Sequence, residues 1–263
     1  MSRRLTSALA SLLPALVVGA RADGLIDVQF GTQGNFITPT APYSGAAVLG
    51  STGDQWNLIA LPTSGPGAHG GSDGALHDVA GAATGVTLSF HTTGSGGHFS
   101  SPFTGSPYDA LLTSYLFADT DLSNGSTGPG ILTFNGLAPN ASYHLILYSV
   151  ADTPGRGTRF TSGDGQLSEV VRQAGETSFV EGADYADWTL SASRFGQITV
   201  VMSRVEDTLK LGAFPEANLN GIQLQGVIAS MVSEPASALS LLSGLFALGR
   251  HPATRQHKTW STS

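Results

Sequence analysis

Gly70-Gly71-Ser72-Asp73-Gly74 spells a nucleophile elbow, the turn that lifts a serine hydroxyl between a strand and a helix. In a chain with 34 glycines such a short pattern arises by chance, and Pro62, Pro66 and several glycines precede Ser72 where a strand is needed. A serine hydrolase is not expected on this motif. His69, Asp73, His77 and Asp78 lie in the same stretch, with His91 and His98 following. Imidazole and carboxylate can share a divalent cation, but this spacing fits no metal-ligand motif, so no metal site is assigned. Asp119-Thr120-Asp121-Leu122-Ser123-Asn124-Gly125 clusters oxygens like a calcium loop. Its Asn-Gly falls one residue late for an EF-hand and no Glu closes it; no cofactor is expected, with a structural calcium as the open alternative. Asp184 and Asp187 offer the two carboxylates that glycoside cleavage requires at a set separation, yet Asp184-Tyr185-Ala186-Asp187-Trp188 reads better as the start of a strand. Gly155-Arg156-Gly157 lacks the lysine and the spacing of a phosphate loop. No catalytic residue is assigned.

Aromatic side chains are better candidates for binding. Phe99, Phe103 and Tyr108 lie in the stretch Gly94–Asp109 among small polar residues, where a core role has little support. Sugar rings present C–H faces that stack on flat aromatic surfaces, while loop amides and carboxylates read the hydroxyls. These three are the candidate ligand-binding residues. The alternative is that they fold over and cap the end of the domain. Trp56 and Trp188 sit in strand-like runs, where burial is expected.

The elements that would position these groups are strands. Apolar runs of strand length recur at Leu25–Phe30, Trp56–Leu61, Val86–Phe90, Ile131–Phe134, Tyr143–Tyr148, Gln197–Met202 and Leu219–Leu224. Several alternate with period two, and Gly, Pro, Asn or Asp clusters separate them. One short helix is expected within Tyr108–Phe117. The pattern predicts an all-β fold, a single β-sandwich of jelly-roll type over 23–228. In Asn135-Gly136-Leu137-Ala138-Pro139 the chain turns, Leu137 plugs the end, and Tyr143 opens the next strand with its hydroxyl directed at the connection, a tyrosine corner.

Charge and the two ends bound the function. All 19 acidic residues fall between Asp23 and Glu234, against six of the 12 Lys and Arg, so this body carries −13. Phosphate backbones would repel it, and nucleic-acid binding is not expected. The chain has no cysteine, which removes thiol catalysis, disulfides and cysteine-held metals. Arg3 and Arg4, the apolar run Leu5–Ala20 and the small-residue pattern Ala20-Arg21-Ala22 lay out a secretory signal helix over 1–22, cut after Ala22. At the other end Ala236–Gly249 is uncharged and would extend about 21 Å as a helix, short against a hydrocarbon layer of about 30 Å. Arg250, Arg255 and Lys258 follow and would hold the tail on the cytoplasmic side.

Glu234-Pro235, the apolar Ala236–Gly249 and the trailing basic residues resemble the PEP-CTERM sorting segment of exported bacterial proteins. Ser233 stands where the first proline is usual in that family. The resemblance, over 229–263, implies a transient membrane stop recognised at Glu234-Pro235 by an exosortase-type membrane protease, with Arg250 completing the sorting motif by orienting the segment. It pairs with signal peptidase at the N-terminal cut. The body also resembles the extracellular domain of many such proteins, in Tyr43-Ser44-Gly45-Ala46-Ala47 with Gly53-Asp54-Gln55-Trp56-Asn57, Asn135-Gly136-Leu137-Ala138-Pro139 with Tyr143, Glu181-Gly182-Ala183-Asp184-Tyr185 and Leu219-Asn220-Gly221-Ile222-Gln223-Leu224. It implies a galactose-binding-like or jelly-roll domain with extracellular polysaccharide as the partner to expect. The reading is a non-enzymatic, surface-sorted protein of the extracellular matrix. A secreted carbohydrate-active hydrolase is the alternative.

Overall fold

The structure, a computed structural model, describes residues 23–32, 42–61, 65–66, 69–72, 74–97, 102–118, 128–152, 154, 156–173, 178–205 and 216–229. The expected leader (1–22) and the sorting segment from 230 onward lie outside these residues, as do Phe99 and the acidic stretch 119–125. Among the described residues no helix is long and apolar enough to cross a membrane.

Among the described residues, fifteen strands and one short helix follow each other. They are β1 (Asp23–Thr32), β2 (Trp56–Leu61), β3 (Gly65–Pro66), β4 (His69–Gly71), β5 (Thr87–His91), β6 (Gly94–Gly97), α1 (Asp109–Leu112) and β7 (Ser114–Ala118). Then come β8 (Gly130–Asn135), β9 (Ser142–Tyr148), β10 (Gly157–Ser162), β11 (Leu167–Val171), β12 (Tyr185–Ser191), β13 (Ile198–Arg204), β14 (Ala217–Leu219) and β15 (Gly221–Val227).

One sheet runs β12-β9-β15-β1-β2, antiparallel except for the parallel pair β1–β2. Facing it are a six-stranded sheet, β11-β10-β13-β8-β5-β4, and a four-stranded one, β14-β7-β6-β3. From β8 to β10 and from β11 to β13 the chain crosses between the layers, the wrapping of a jelly roll. The fold is the all-β sandwich that the alternating runs predict.

Period-two alternation explains the main core. Ile26, Val28 and Phe30 from β1, Leu145 and Leu147 from β9, and Trp188 and Leu190 from β12 meet Leu132 and Phe134, Phe160, Val200 and Met202 from the opposite layer. Each such side chain taken out of water contributes about 1.5–3 kcal/mol, and in a chain without disulfides this burial carries the fold. Tyr143 closes the corner as its sequence suggests. Its hydroxyl accepts from the Ala138 N–H and donates to the Val227 carbonyl, each at 2.8 Å, while Leu137 is buried beside it.

The helix expected within Tyr108–Phe117 shrinks to the four residues of α1. The Thr113 hydroxyl bonds back to the Asp109 carbonyl, and Ser114–Ala118 then enters a sheet as β7, fully buried. Pairing with β6 and β14 overrides the local helical spacing.

A second layer covers the outer face of the five-stranded sheet. Tyr43, Trp56, Phe103, Leu111, Leu112, Ile146, Tyr148 and Val150 form a separate buried cluster there. Strand β9 is consequently apolar on both faces, with Leu145 and Leu147 to one side and Ile146 and Tyr148 to the other. A belt of polar side chains is buried with them. Gln223 donates to Asp27 Oδ1 at 3.0 Å and to the Leu49 carbonyl at 3.2 Å, and accepts from the Leu49 N–H at 2.9 Å and from the Tyr148 hydroxyl at 2.5 Å. Gln29 accepts from the Tyr43 N–H at 2.8 Å. Asp27 is 0 % exposed and its Oδ2 has no hydrogen-bond partner among the described residues. Burial pushes its carboxyl up to about 7, Gln223 partly opposing and Asp54 adding to the rise.

Candidate functional site

The sequence candidates separate in space. Ser72 follows β4 and lies alongside β5: its N–H donates to the Leu88 carbonyl at 2.7 Å and its Oγ accepts from the Leu88 N–H at 3.1 Å. Segment 74–86 beyond it contains no helix, so the nucleophile-elbow geometry is not built. Ser72 and His77 instead border a groove of ≈ 540 Å³ against the sheet-edge strand β2. The Asn57 amide holds His77 by its backbone, and Asp78 closes a turn by accepting from the Ala80 and Ala82 N–H groups. Asp73 and His98 lie outside the described residues, and for His69 only its strand pairing with His91 is described. Among the described residues no group of three metal-ligating side chains converges.

Asp184 and Asp187 have different partners. Asp184 is buried and its carboxylate accepts from the Val180 N–H at 2.9 Å, shaping the turn before β12. Asp187 faces outward and meets His144 Nε2 at 2.6 Å across the β9–β12 ladder. Arg156 pairs with Asp152 at 3.1 Å and Glu216 at 3.2 Å. Trp188 is buried, as its strand-like run predicts, and donates its indole N–H to Ser168 Oγ.

Phe103 requires a correction. It is 1 % exposed within the second cluster, stacked on Phe179 at 5.1 Å and edge-on to Tyr108 at 6.1 Å. Trp56, Ile146 and Tyr148 leave an apolar patch on the outer sheet face, and segment 102–112 folds down to cover it. The Gly105 N–H donates to Asp109 Oδ2 at 3.0 Å, tightening the loop. Phe103 therefore has no open face for a ligand. Tyr108 remains half-buried at the rim of this cluster, 4.6 Å from Phe179.

Among the described residues the most open aromatic ring is Phe195, 71 % exposed. It sits at the tip of the turn Ser193–Gln197 between β12 and β13. Ser193 Oγ accepts from the N–H groups of Phe195 and Gln197, both at 3.2 Å. The Ser193 N–H donates to the Gln197 carbonyl at 2.8 Å and the Gly196 N–H to the Ser193 carbonyl at 2.9 Å. Gly196 has φ +71°, and a Cβ there would lie 2.3 Å from the Leu137 carbonyl oxygen, so only glycine fits. The Leu137 N–H donates to the Gly196 carbonyl at 3.1 Å, tying the turn to the tyrosine corner. A bare ring on so fully bonded a turn is held for contact at little further entropic cost.

Beside this turn lies a groove of ≈ 270 Å³ that includes Asp164, Ser191, Ser193, Gln197 and Thr199 in its walls. The Ser162 hydroxyl bonds the Asp164 carboxylate, and Gln197 Nε2 donates to Asn135 Oδ1 at 2.8 Å. The groove shares Ser193 and Gln197 with the turn that carries Phe195, so hydroxyl, amide and carboxylate groups and an open aromatic ring belong to one end of the domain, the combination that suits a hydroxyl-rich ring with apolar C–H faces. Sequence reasoning missed this site, although Ser193-Arg194-Phe195-Gly196-Gln197 carries the same signal sought at 94–109: an aromatic among small polar turn residues.

No protein-family model and no curated protein matches the chain. Among solved structures it is similar to a family 35 carbohydrate binding module from Clostridium thermocellum, with 16% identity over 42% of this chain and 90% of that one at a TM-score of 0.26. It is also similar to the ANXUR1 extracellular domain from Arabidopsis thaliana, with 12% identity over 76% of this chain and 48% of that one at a TM-score of 0.39. An exo-beta-1,3-galactanase from Phanerochaete chrysosporium shares 16% identity over 63% of this chain and 29% of its own length, at a TM-score of 0.27. The chain thus spans about half of the plant ectodomain and under a third of the galactanase.

Proposed function

We propose that this chain is an exported, surface-sorted protein of the extracellular matrix whose β-sandwich binds polysaccharide without cleaving it. The carrying observation is Phe195, an aromatic ring 71 % exposed on a rigid turn and set beside a polar groove. A ring left in water forgoes about 1.5–3 kcal/mol of burial, and a sugar face stacked on it recovers much of that. The leader over 1–22, with its Ala20 and Ala22 pattern, and the segment around Glu234, Pro235 and Arg250 support passage through the inner membrane by way of signal peptidase and an exosortase-type protease.

Affinity electrophoresis of the purified chain through gels carrying different polysaccharides tests the reading. At least one glycan should retard the protein, and Phe195→Ala should weaken that retention about ten- to a hundredfold with the melting temperature unchanged. Release of reducing sugar from the same panel would instead support a hydrolase. Retention by no glycan would refute the binding reading.

A further inference from the structure

We propose that the Phe195 turn selects an acidic sugar, a pyranose bearing a carboxylate, through Arg194; this rests on the glycan-binding reading above. The Arg194 guanidinium lies over the Phe195 ring at 4.5 Å from its centroid. It is exposed and has no acidic partner among the described residues. The other described arginines differ. Arg156 is held by Asp152 and Glu216 and Arg159 by Glu169 at 2.6 Å, Arg172 is buried, and Arg204 is half-buried on β13. In a body carrying −13, an exposed arginine without a carboxylate partner sits on the most open aromatic ring of the described residues.

Stacking uses the flat face of a guanidinium and leaves its in-plane N–H donors available, in the fork that matches a carboxylate. The ring and the fork therefore act together. A pyranose lays its C–H face on the open side of Phe195 while its carboxylate pairs with Arg194. Its hydroxyls meet Ser191, Ser193, Gln197 and Thr199 in the adjoining groove. Asp164, in the same groove, accepts from sugar hydroxyls and repels a carboxylate, so the ligand's acidic end belongs on the Arg194 side. Negative charge lying farther from the turn than the screening length, about 8 Å at physiological salt, acts weakly on it.

The experiment measures retention of the full chain on immobilised polygalacturonate, on dextran and on dextran sulfate, at two salt concentrations. The expected result is at least tenfold preference for polygalacturonate over dextran, weakening with salt. Arg194→Gln should remove that preference, bringing retention on polygalacturonate down to that on dextran; Phe195→Ala should reduce both. Far-UV circular dichroism and melting temperature confirm that each variant folds. Equal retention on polygalacturonate and dextran, with Arg194→Gln silent and Phe195→Ala still damaging, overturns the acidic-sugar selection and leaves glycan binding standing. Dextran sulfate held as tightly as polygalacturonate also overturns it, in favour of plain anion attraction. If Phe195→Ala changes nothing on any matrix, the glycan reading of this turn itself fails.

Discussion

Replacing Asp27 with asparagine should flatten the pH dependence of stability. In the unfolded chain this carboxyl ionises near 3.8, whereas burial under the second layer pushes it up to about 7 in the folded protein. Between these values the folded chain holds a proton that the unfolded chain has released. Stability attributable to Asp27 therefore falls as pH rises from about 4 to 7 and is level above that. At about 1.4 kcal/mol per pH unit the whole fall is about 4 kcal/mol, and the part lying between pH 5 and pH 8 is about 2.5 kcal/mol. Asparagine can still accept from Gln223 Nε2, the partner that Asp27 Oδ1 has now, but it cannot ionise. Urea unfolding of both proteins at pH 5 and pH 8 isolates the term, because other titrating groups are common to both and cancel in the difference. The wild type should lose about 2.5 kcal/mol more than the variant over that interval. Parallel losses would show that the Asp27 carboxyl is solvated, and the account of the buried belt would be wrong.

Four further outcomes are expected. Tyr143→Phe leaves the Ala138 N–H and the Val227 carbonyl without their partner and should cost about 1–3 kcal/mol by denaturant unfolding. Gly196→Ala places a methyl against the Leu137 carbonyl oxygen at a positive φ; it should cost about 1–3 kcal/mol and weaken retention on glycan gels by disordering the turn. Phe103→Ala empties a packed aromatic cluster and should cost about 3–5 kcal/mol while the surviving folded protein binds glycan as before. Alanine at Glu234 and Pro235 together should hold the protein uncleaved at the inner membrane, as read by fractionation and immunoblot; normal arrival at the surface would refute the sorting assignment.

Strands such as β5, β8 and β13 were legible because one face of each is packed and the other is more open. Thr87-Leu88-Ser89-Phe90 alternates, and Leu88 and Phe90 duly enter the core. The second layer was not legible. Asp27 and Gln29 alternate with Ile26, Val28 and Phe30, the pattern of a strand with a wet outer face, yet both are fully buried because segments remote in the chain fold across them. Phe103 was misread for the same reason: its neighbours are small and polar along the chain, but Phe179, Tyr148 and Tyr108 surround it in space. Phe195 carried a readable signal that a five-residue turn between two strands made easy to pass over.

The ladder between β1 and β15 joins Asp23 to Val227, so the first and last strands of the sandwich are neighbours in the middle of one sheet. Neither can be completed by the residues next to it in sequence. A chain emerging from a translocation pore N-terminus first would hold β1 without its antiparallel partner until some two hundred residues more had crossed. Closure of the sheet is thereby coupled to the arrival of β15, so a chain crossing a membrane in that direction would stay threadable until β15 had passed. The same adjacency makes the domain a good subject for circular permutation: a short linker from Val227 to Asp23, with new ends opened in the Gly163–Gln166 hairpin, should preserve every ladder while removing that delay.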